Sequence, residues 1–337
     1  MKNLPLHIAI FTALILSTTP SFAIPEANYS SSYSQQVMPW ADLGHVDSFN
    51  GVDGKKIGYI SFVEPGANDA IIILNGRTEN YLKYLETAYD LTGLGASIYL
   101  MDHRGQGHSD RLLSDRDKGY VKSFDDYVKD VKKLVDHVVK PAGHGRVFLL
   151  AHSLGGAIAT RFAQTYPNKI QALILSAPML QINTSPYPES IAYAAARTLT
   201  WFWQGESYAP GRGSYSTETF EEQTLTTSEV RYDMGEAKLA AHPELRLGGP
   251  TNRWLSESIW ATWKAGWYAN KLTMPVLLFQ AGNDQIVNPG RQNSVCESAP
   301  NCELVAFPGA EHELLIESDS VRDTMLDRIH LFINNNR

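Results

Sequence analysis

A serine lies where an apolar run gives way to a helical segment. Residues 146–151 predict a buried strand, which leads directly into Ala151-His152-Ser153-Leu154-Gly155-Gly156 and a predicted helix at residues 154–166. A strand, a sharp turn and a helix expose a serine hydroxyl at the apex, and the flanking small residues let strand and helix approach each other. The backbone amide of Leu154, at the helix N-terminus, can stabilise a developing oxyanion. The segment therefore predicts that Ser153 is a nucleophile.

A nucleophilic serine needs a base, and the base needs an acid that orients it. After this kind of turn the acid and then the histidine follow in the chain, each just beyond a strand. His312 follows the predicted strand at 302–307, and Asp284 follows the predicted strand at 275–280. We therefore predict His312 as the base and Asp284 as the acid. The rivals for the acid are Asp102, Glu311 and Glu313.

The loop after the predicted strand at 70–74 has the sequence Asn75-Gly76-Arg77-Thr78-Glu79. An oxyanion needs a second backbone donor from this loop, and we expect the amide of Arg77 to supply it. The side-chain roles of Arg77 and Glu79 stay open.

A later loop, residues 102–109, is rich in Asp, His and Gly. We interpret it as loop structure, because no further ligands stand at metal-binding spacings. We expect neither a metal nor a cofactor.

These residues need a scaffold, and the chain alternates between apolar strands and amphipathic helices. The predicted strands are 55–63, 70–74, 96–101, 146–151, 170–176, 275–280 and 302–307, and the predicted helices are 80–92, 123–140, 154–166, 288–298 and 319–333. This pattern predicts an α/β fold with a mostly parallel sheet and helices on both faces. The alternation stops between residues 179 and 270, which we interpret as a largely helical cap. The cap divides the core into residues 46–178 and 271–337.

The N-terminus resembles an export signal. Lys2 precedes a short apolar run, and the small-residue site Ser21-Phe22-Ala23 follows it. The run is too short for a membrane span, so cleavage after Ala23 is favoured over an anchor, and the location is periplasmic or secreted. Residues 24–45, rich in Ser, Tyr and Gln at the start, are interpreted as a loose N-terminal arm.

Charge and cysteine content narrow the function further. The net charge is −7, and there is no basic run, so nucleic acid is not an expected partner. The two cysteines, Cys296 and Cys302, are close in sequence. In an exported protein such a pair can form a disulfide, and the alternative is two buried thiols that never pair. The sequence leaves the oligomeric state open.

The motifs together resemble those of a known family. The 75–79 and 102–109 loops, the turn at Ser153 and Gly309-Ala310-Glu311-His312 are similar to the monoglyceride-lipase-like (serine aminopeptidase S33-type) branch of the α/β hydrolases. Residues 76–84 and Gly248-Gly249-Pro250-Thr251 resemble its bacterial lysophospholipases. The resemblance implies the same catalytic triad and the same two oxyanion amides. The chain differs from the family pattern in two respects. It has Asn75 where many relatives have histidine, and it carries an export signal.

The resemblance implies a serine carboxylester hydrolase that acts on single-chain lipids through an acyl-enzyme on Ser153. Six of the seven tryptophans lie in or beside the cap, and Trp260, Trp263 and Trp267 share one helical face. They are candidates for an acyl-chain wall or a membrane-contacting surface, or they simply pack the cap onto the core. The competing functions are an aminopeptidase, which would need cap carboxylates such as Glu206, Glu218, Glu221 and Glu222, and a non-catalytic lipid-binding module.

Overall fold

The computed structural model describes residues 23–337, so the predicted export signal at 1–23 lies, apart from Ala23, outside the described residues. Eight strands form one sheet. They are β1 (His45–Asn50), β2 (Lys56–Phe62), β3 (Asp69–Leu74), β4 (Ser97–Met101), β5 (Arg146–His152), β6 (Ala172–Ser176), β7 (Val276–Ala281) and β8 (Cys302–Phe307). The strand order is β1-β2-β4-β3-β5-β6-β7-β8. Only β1–β2 and β2–β4 pair antiparallel, and β3 to β8 are parallel.

Ten α-helices accompany the sheet in the described part of the chain. They are α1 (Tyr29–Ser32), α2 (Met38–Ala41), α3 (Leu85–Asp90), α4 (Phe124–Leu134), α5 (Ser153–Thr165), α6 (Glu189–Leu199), α7 (Glu229–Ala241), α8 (Asn252–Trp267), α9 (Pro289–Ser298) and α10 (Asp319–Asn335). Apolar residues of α4, α5, α8 and α9 pack on one face of the sheet. Those of α1, α3 and α10 pack on the other. The predicted fold class is confirmed.

The register of the parallel strands brings the functional loops to one edge of the sheet. Leu74 of β3 pairs with Ala151 of β5, so the loop that begins at Asn75 and the turn at Ser153 leave the sheet side by side. Ala281 of β7 pairs with Phe307 of β8, which places the loops of Asp284 and His312 next to each other. Carboxyl ends of parallel strands are the usual location of ligand sites in α/β sheets.

The prediction of a loose N-terminal arm is wrong. Residues 26–41 form short helical segments, and Tyr29, Tyr33 and Val37 are buried against the sheet domain. The Tyr29 hydroxyl donates a hydrogen bond of 2.9 Å to Glu86. The three buried residues are spaced by four, so a polar composition hides a single apolar helical stripe. β1, with its mostly exposed residues, was also not predicted.

The segment between β6 and β7, where the sequence predicts the inserted cap, contains α6, α7 and α8. Trp254 of α8 is buried against the core and donates from Nε1 to the Tyr127 hydroxyl at 3.2 Å. Within residues 23–337, every helix falls short of the length and apolar character that crossing a bilayer requires. Cys296 of α9 and Cys302 at the start of β8 are joined in a disulfide, with their Cα atoms 5.3 Å apart.

Candidate active site

The turn between β5 and α5 places Ser153 in a strained backbone conformation. Its φ is +49°, in the left-handed region that non-glycine residues rarely adopt. The helix that follows lies close to the end of β3, because the Gly155 amide donates to the Asn75 carbonyl at 3.1 Å. A Cβ at Gly155 would lie 2.3 Å from the Leu74 carbonyl oxygen. Glycine at this position is therefore what lets the turn approach the loop of Arg77.

Ser153, His312 and Asp284 form a chain of hydrogen bonds. His312 Nε2 lies 2.9 Å from Ser153 Oγ. His312 Nδ1 lies 2.7 Å from Asp284 Oδ2. The other Asp284 oxygen accepts from the amides of Ile286 at 2.8 Å and Val287 at 2.9 Å, so the carboxylate is held in place. All three side chains are largely buried. This geometry suits proton transfer from a serine hydroxyl to an oriented imidazole.

The two predicted oxyanion donors flank the serine. Leu154 lies in the first turn of α5, where backbone N–H groups have no partner within the helix. The Arg77 amide belongs to the loop fastened to α5 through Asn75, and within residues 23–337 it donates to no protein acceptor. Two unpartnered amides beside the nucleophile can bind the oxygen of a tetrahedral intermediate.

Asp102, a rival for the acid, holds loops together instead. It accepts from Asn75 Nδ2 at 2.8 Å, from the Tyr81 amide at 2.6 Å and from the His108 amide at 2.8 Å. Asn75, one of the two departures from the family pattern, thus links Asp102 to the oxyanion loop. Arg104, from the same loop as Asp102, forms an ion pair with Asp130 at 2.6 Å.

A buried charged cluster, Glu79, Lys83 and Glu313, joins the oxyanion loop to the histidine loop. The Lys83 ammonium lies 2.8 Å from Glu79 and 2.5 Å from Glu313. Glu79 also accepts hydrogen bonds from the Gly76 amide and the Tyr84 hydroxyl. Sequence reasoning assigned no role to Lys83, although its i,i+4 spacing from Glu79 on a helical turn was a usable signal. Glu313, another rival for the acid, is committed to this cluster.

The single ammonium of Lys83 pairs with both carboxylates of this cluster, and the pKa values of Glu79 and Glu313 shift in opposite directions. Burial raises the pKa of Glu313 to about 7, and the charge of Glu79 adds to the rise against the opposing effect of Lys83. Burial also acts to raise the pKa of Glu79, but the charge and hydrogen bonds of Lys83 hold it well below its ordinary value. Burial lowers the pKa of the neighbouring His152 to about 3. His152 therefore remains neutral beside the triad at physiological pH.

The same cluster has the ligand types of a metal site. Glu79, His152 and Glu313 present ligand atoms within 4.8 Å of one another. The Lys83 ammonium, however, already lies between the two carboxylates. The positive charge between these two carboxylates is therefore the Lys83 ammonium.

A cavity of about 420 Å³ opens between the catalytic loops and the cap. Its walls include Arg77 and Glu313, each of which directly adjoins the site, and the cap residues Arg212 and Glu236. Both the oxyanion loop and the histidine loop therefore contribute to this chamber. Its lining is rich in charged side chains, which was not foreseen from the sequence.

The three candidate tryptophans of the cap cluster away from this cavity. Trp260, Trp263 and Trp267 contact one another on α8, with ring centroids 5.4–6.4 Å apart. Trp263 Nε1 donates to Glu189 at 2.7 Å. Trp260 and Trp267 are exposed, and none of the three lines the chamber beside the catalytic loops. This placement fits a surface role better than an acyl-chain wall at that chamber.

The fold and the Ser–His–Asp arrangement define the chain as a serine hydrolase of the α/β-hydrolase class. The model of the family described as serine aminopeptidase, S33, matches residues 66–319, and the chain belongs to this family. The resemblance seen in the sequence is thus confirmed at the level of the family.

Relatives and solved structures agree with this assignment. Lysophospholipase L2 of Escherichia coli K12 is 35% identical over 299 residues, which cover 85% of this chain and 86% of that protein. Monoglyceride lipase of Rattus norvegicus is 26% identical over 324 residues, or 92% of this chain and 96% of that protein. A soluble variant of monoglyceride lipase from Saccharomyces cerevisiae has a TM-score of 0.67 at 20% identity, over 87% of this chain and 97% of that one. At 20% identity, the similarity to the yeast structure supports the fold alone.

Proposed function

We propose that the protein is a serine carboxylester hydrolase that cleaves the acyl ester of single-chain lipids, with lysophospholipids and monoacylglycerols as substrates. The observation that carries the proposal is the hydrogen-bonded chain from Ser153 Oγ through His312 to Asp284. The names of the relatives, lysophospholipase L2 and monoglyceride lipase, support the substrate class.

In the proposed reaction His312 Nε2 takes the proton of Ser153 as Oγ attacks the ester carbonyl carbon. The carbonyl oxygen becomes an oxyanion, and the amides of Arg77 and Leu154 donate hydrogen bonds to it. His312 then gives its proton to the leaving glycerol oxygen, and the C–O bond breaks to leave an acyl-enzyme. Water, deprotonated by His312, releases the fatty acid and restores Ser153. Asp284 holds the tautomer and stabilises the imidazolium.

The proposal is tested with a substrate panel on the purified protein. Hydrolysis of a lysophospholipid, a monoacylglycerol, a diacyl phospholipid and an aminoacyl amide is compared in matched detergent micelles. The proposal expects the single-chain esters to have the higher kcat/KM. Equal efficiency on the diacyl lipid would indicate a general phospholipase, and preference for the amide would indicate a peptidase. Failure of a fluorophosphonate probe to label Ser153 would indicate a non-catalytic module.

We further propose that the mature protein is exported, with cleavage after Ala23. The order of Lys2, an apolar run and Ser21-Phe22-Ala23 supports this location. The intact mass of protein recovered from the periplasm or medium should correspond to a chain that begins at Ile24. A mass that includes residues 1–23 would contradict the cleavage.

The proposed lipid substrate requires access to a lipid surface, and we propose that the cap makes a peripheral contact with it. Trp201, Phe202 and Trp203, directly after α6, are largely exposed, and Trp260 and Trp267 of α8 are exposed to a lesser degree. The helices α6 and α8 pack together, with Tyr193 and Trp263 rings 4.7 Å apart, so these aromatic residues belong to one helical pair. Exposed aromatic side chains of this kind favour insertion at a membrane interface.

A further inference from the structure

We propose that the 420 Å³ chamber beside the catalytic loops is a head-group site that takes a zwitterionic phosphodiester, with the phosphate against Arg77 and Arg212 and the ammonium against Glu218 and Glu236. The inference rests on the proposed function, because it names the part of the substrate that lies beyond the cleaved ester. It also distinguishes a lysophospholipid from a monoacylglycerol, which carries no phosphate.

The chamber is placed to receive what the ester is attached to. Arg77, whose backbone amide is the proposed oxyanion donor, extends its side chain into the wall. Glu313, which follows His312, forms part of the same wall. The chamber therefore adjoins both catalytic loops, while Ser153, Leu154 and His312 are not among the residues that line it. In the proposed binding mode, the group linked to the glycerol of an ester held at Ser153 extends past Arg77 and Glu313 into this chamber.

Two guanidinium groups in the wall lack a carboxylate partner. Among residues 23–337, no acidic oxygen lies within 4 Å of the Arg77 or Arg212 side chain. Arg77 Nη2 donates to the Gly248 carbonyl at 2.5 Å, and its guanidinium lies 5.1 Å from the Trp254 ring centroid. Its Nε is buried without any hydrogen-bond partner. A buried donor left unpaired is costly, so the protein alone does not fully satisfy this guanidinium.

The two arginines also act on each other. Burial lowers the pKa of Arg77 to about 10; the charge of Arg212 contributes to the lowering, and the charge of Asp117 opposes it. Guanidinium groups bind phosphate through charge-assisted hydrogen bonds, and a phosphate between them would relieve their repulsion. Ser214 and Ser216, in the loop that carries Arg212, add hydroxyl groups to the lining.

Carboxylates provide the other half of the chamber. Glu236 of α7 accepts a hydrogen bond of 3.3 Å from the Tyr215 hydroxyl, and in the described part of the chain no basic nitrogen lies within 4 Å of it. Glu218 is exposed, and its backbone carbonyl is held by the Tyr232 hydroxyl at 2.8 Å. These two carboxylates are free to pair with an ammonium group of a ligand.

The remaining charges of the chamber that face one another are already paired. Lys83 is held between Glu79 and Glu313, and Arg231 pairs with Glu86 at 3.2 Å and Asp319 at 2.8 Å. Lys238 has no carboxylate partner either, and its Nζ donates to the Leu82 carbonyl at 2.9 Å. The groups without an ion-pair partner are therefore cationic at Arg77, Arg212 and Lys238 and anionic at Glu218 and Glu236. This separation of charge matches a phosphoethanolamine or phosphocholine group better than a bare phosphate.

The test compares selectivity ratios within one enzyme preparation. The kcat/KM values for lysophosphatidylethanolamine, lysophosphatidic acid and monoacylglycerol with the same acyl chain are measured in the same detergent micelles. Arg212→Ala should lower the ratio of lysophosphatidylethanolamine to monoacylglycerol about tenfold or more, as expected for a lost charge-assisted hydrogen bond. Arg212→Lys should recover part of the ratio. Glu236→Gln should lower the ratio of lysophosphatidylethanolamine to lysophosphatidic acid.

Arg328→Ala and Glu303→Gln are the matched controls, because this exposed pair, 3.4 Å apart, lies on α10 and β8. Both ratios should stay unchanged in the controls. If Arg212→Ala slows the phosphorylated and unphosphorylated substrates equally, the head-group site is overturned while ester hydrolysis stands. If Glu236→Gln leaves its ratio unchanged, the ammonium half is overturned. If the unaltered protein hydrolyses none of the three lipids, the proposed function itself has failed.

Discussion

Ser153 combines a strained backbone with a hydroxyl that is already hydrogen-bonded to an imidazole. Ser153→Ala should lower kcat by roughly 10⁴-fold to 10⁶-fold, because the nucleophile is removed while the oxyanion donors remain. Turnover of a soluble ester is the measurement, and an unchanged thermal unfolding midpoint is the control for folding. More than a few per cent of residual activity in a folded variant would mean that another residue is the nucleophile.

The acid can be assigned by comparing two isosteric variants. Asp284→Asn should reduce kcat severely, because Asp284 Oδ2 lies 2.7 Å from His312 Nδ1 and its amide replacement would favour the wrong tautomer. Asp102→Asn should have the smaller effect on kcat and the larger one on stability, since Asp102 holds three loop groups. If the order of the kcat effects is reversed, Asp284 is not the acid.

Glu313 should give the protein a pH-dependent stability. Its folded-state pKa of about 7 lies above its ordinary value of 4.5, so the native state binds the extra proton between these two values. Below that window the side chain is neutral in both states. As pH rises through the window, ionisation costs the native state up to roughly 3 kcal/mol, at about 1.4 kcal/mol for each pKa unit.

The variant that tests this prediction is Glu313→Gln, because glutamine has the shape of glutamate and cannot ionise. Its urea-unfolding free energy should be close to that of the unaltered protein at pH 5 and higher at pH 8. Glu303→Gln, at an exposed position of β8, serves as the control and should show no such divergence. A constant difference between the two proteins from pH 5 to pH 8 would show that Glu313 does not titrate in this window.

Residue types and spacing were enough to predict which side chains meet at the triad, since each follows a strand end and parallel strand ends lie together. They could not predict the cluster of Glu79, Lys83 and Glu313. Lys83 and Glu313 are 230 positions apart, and whether they meet depends on how the loops pack above the sheet. The orientation of Arg77 into a cap-lined chamber was inaccessible for the same reason.

At the scale of elements, strands were predicted more accurately than the N-terminal arm. The run Cys302–Phe307 coincides with β8 because a short apolar segment between turn residues has few alternatives. In the arm, only Tyr29, Tyr33 and Val37 carry the helical signal among serines and glutamines. Tertiary contacts supply the rest of the order there. Arg231 of α7 is central to them, since it donates to the Ile24 carbonyl at 2.8 Å and to Asp319 at 2.8 Å.

Arg231→Met should therefore destabilise the protein by about 3 kcal/mol, the low end of the range for breaking a buried ion pair, because Glu86 and Asp319 lose Arg231 while Glu86 keeps Arg322 at 3.3 Å. Arg231→Lys should lose less, since it keeps the charge but not the planar fork. Urea unfolding measures both, and Arg328→Met, at an exposed ion pair, should stay within about 0.5 kcal/mol of the unaltered protein. A loss below 1 kcal/mol for Arg231→Met would show that the arm and the cap are not fastened here.

At the scale of the whole molecule, the carboxyl edge of the sheet positions the triad, and the segment between β6 and β7 lines the chamber beside the catalytic loops. The register of β3 with β5 and of β7 with β8 sets the triad, and this much follows from the alternation of strands and helices. No comparable sequence pattern predicts how the segment between β6 and β7 folds. Three of its tryptophans share a helical face in the sequence, but the packing of α8 against the core decides that Trp254 is buried, while Trp260 and Trp267 are exposed.

The exposed aromatic surface of the cap predicts how the whole molecule meets its substrate. Trp201, Phe202 and Trp203 are 80%, 62% and 90% exposed. Soluble monomeric proteins rarely leave neighbouring large apolar side chains this accessible to water unless the surface binds something. The net charge of −7 disfavours attraction to anionic lipid, so insertion of aromatic side chains should dominate binding. The protein should therefore bind phosphatidylcholine vesicles with little dependence on salt.

Replacing all three residues with alanine should weaken vesicle binding at least tenfold, since burying each large apolar side chain contributes about 1.5–3 kcal/mol. Co-sedimentation with vesicles at low and high salt measures the partition coefficient. The matched control replaces Leu43, Val46 and Val63, which are also exposed but lie around the edge strand β1, and its partition coefficient should not change. If the two triple variants bind equally well, the cap is not the lipid-facing surface. If binding collapses in high salt, charge rather than aromatic insertion holds the protein at the membrane.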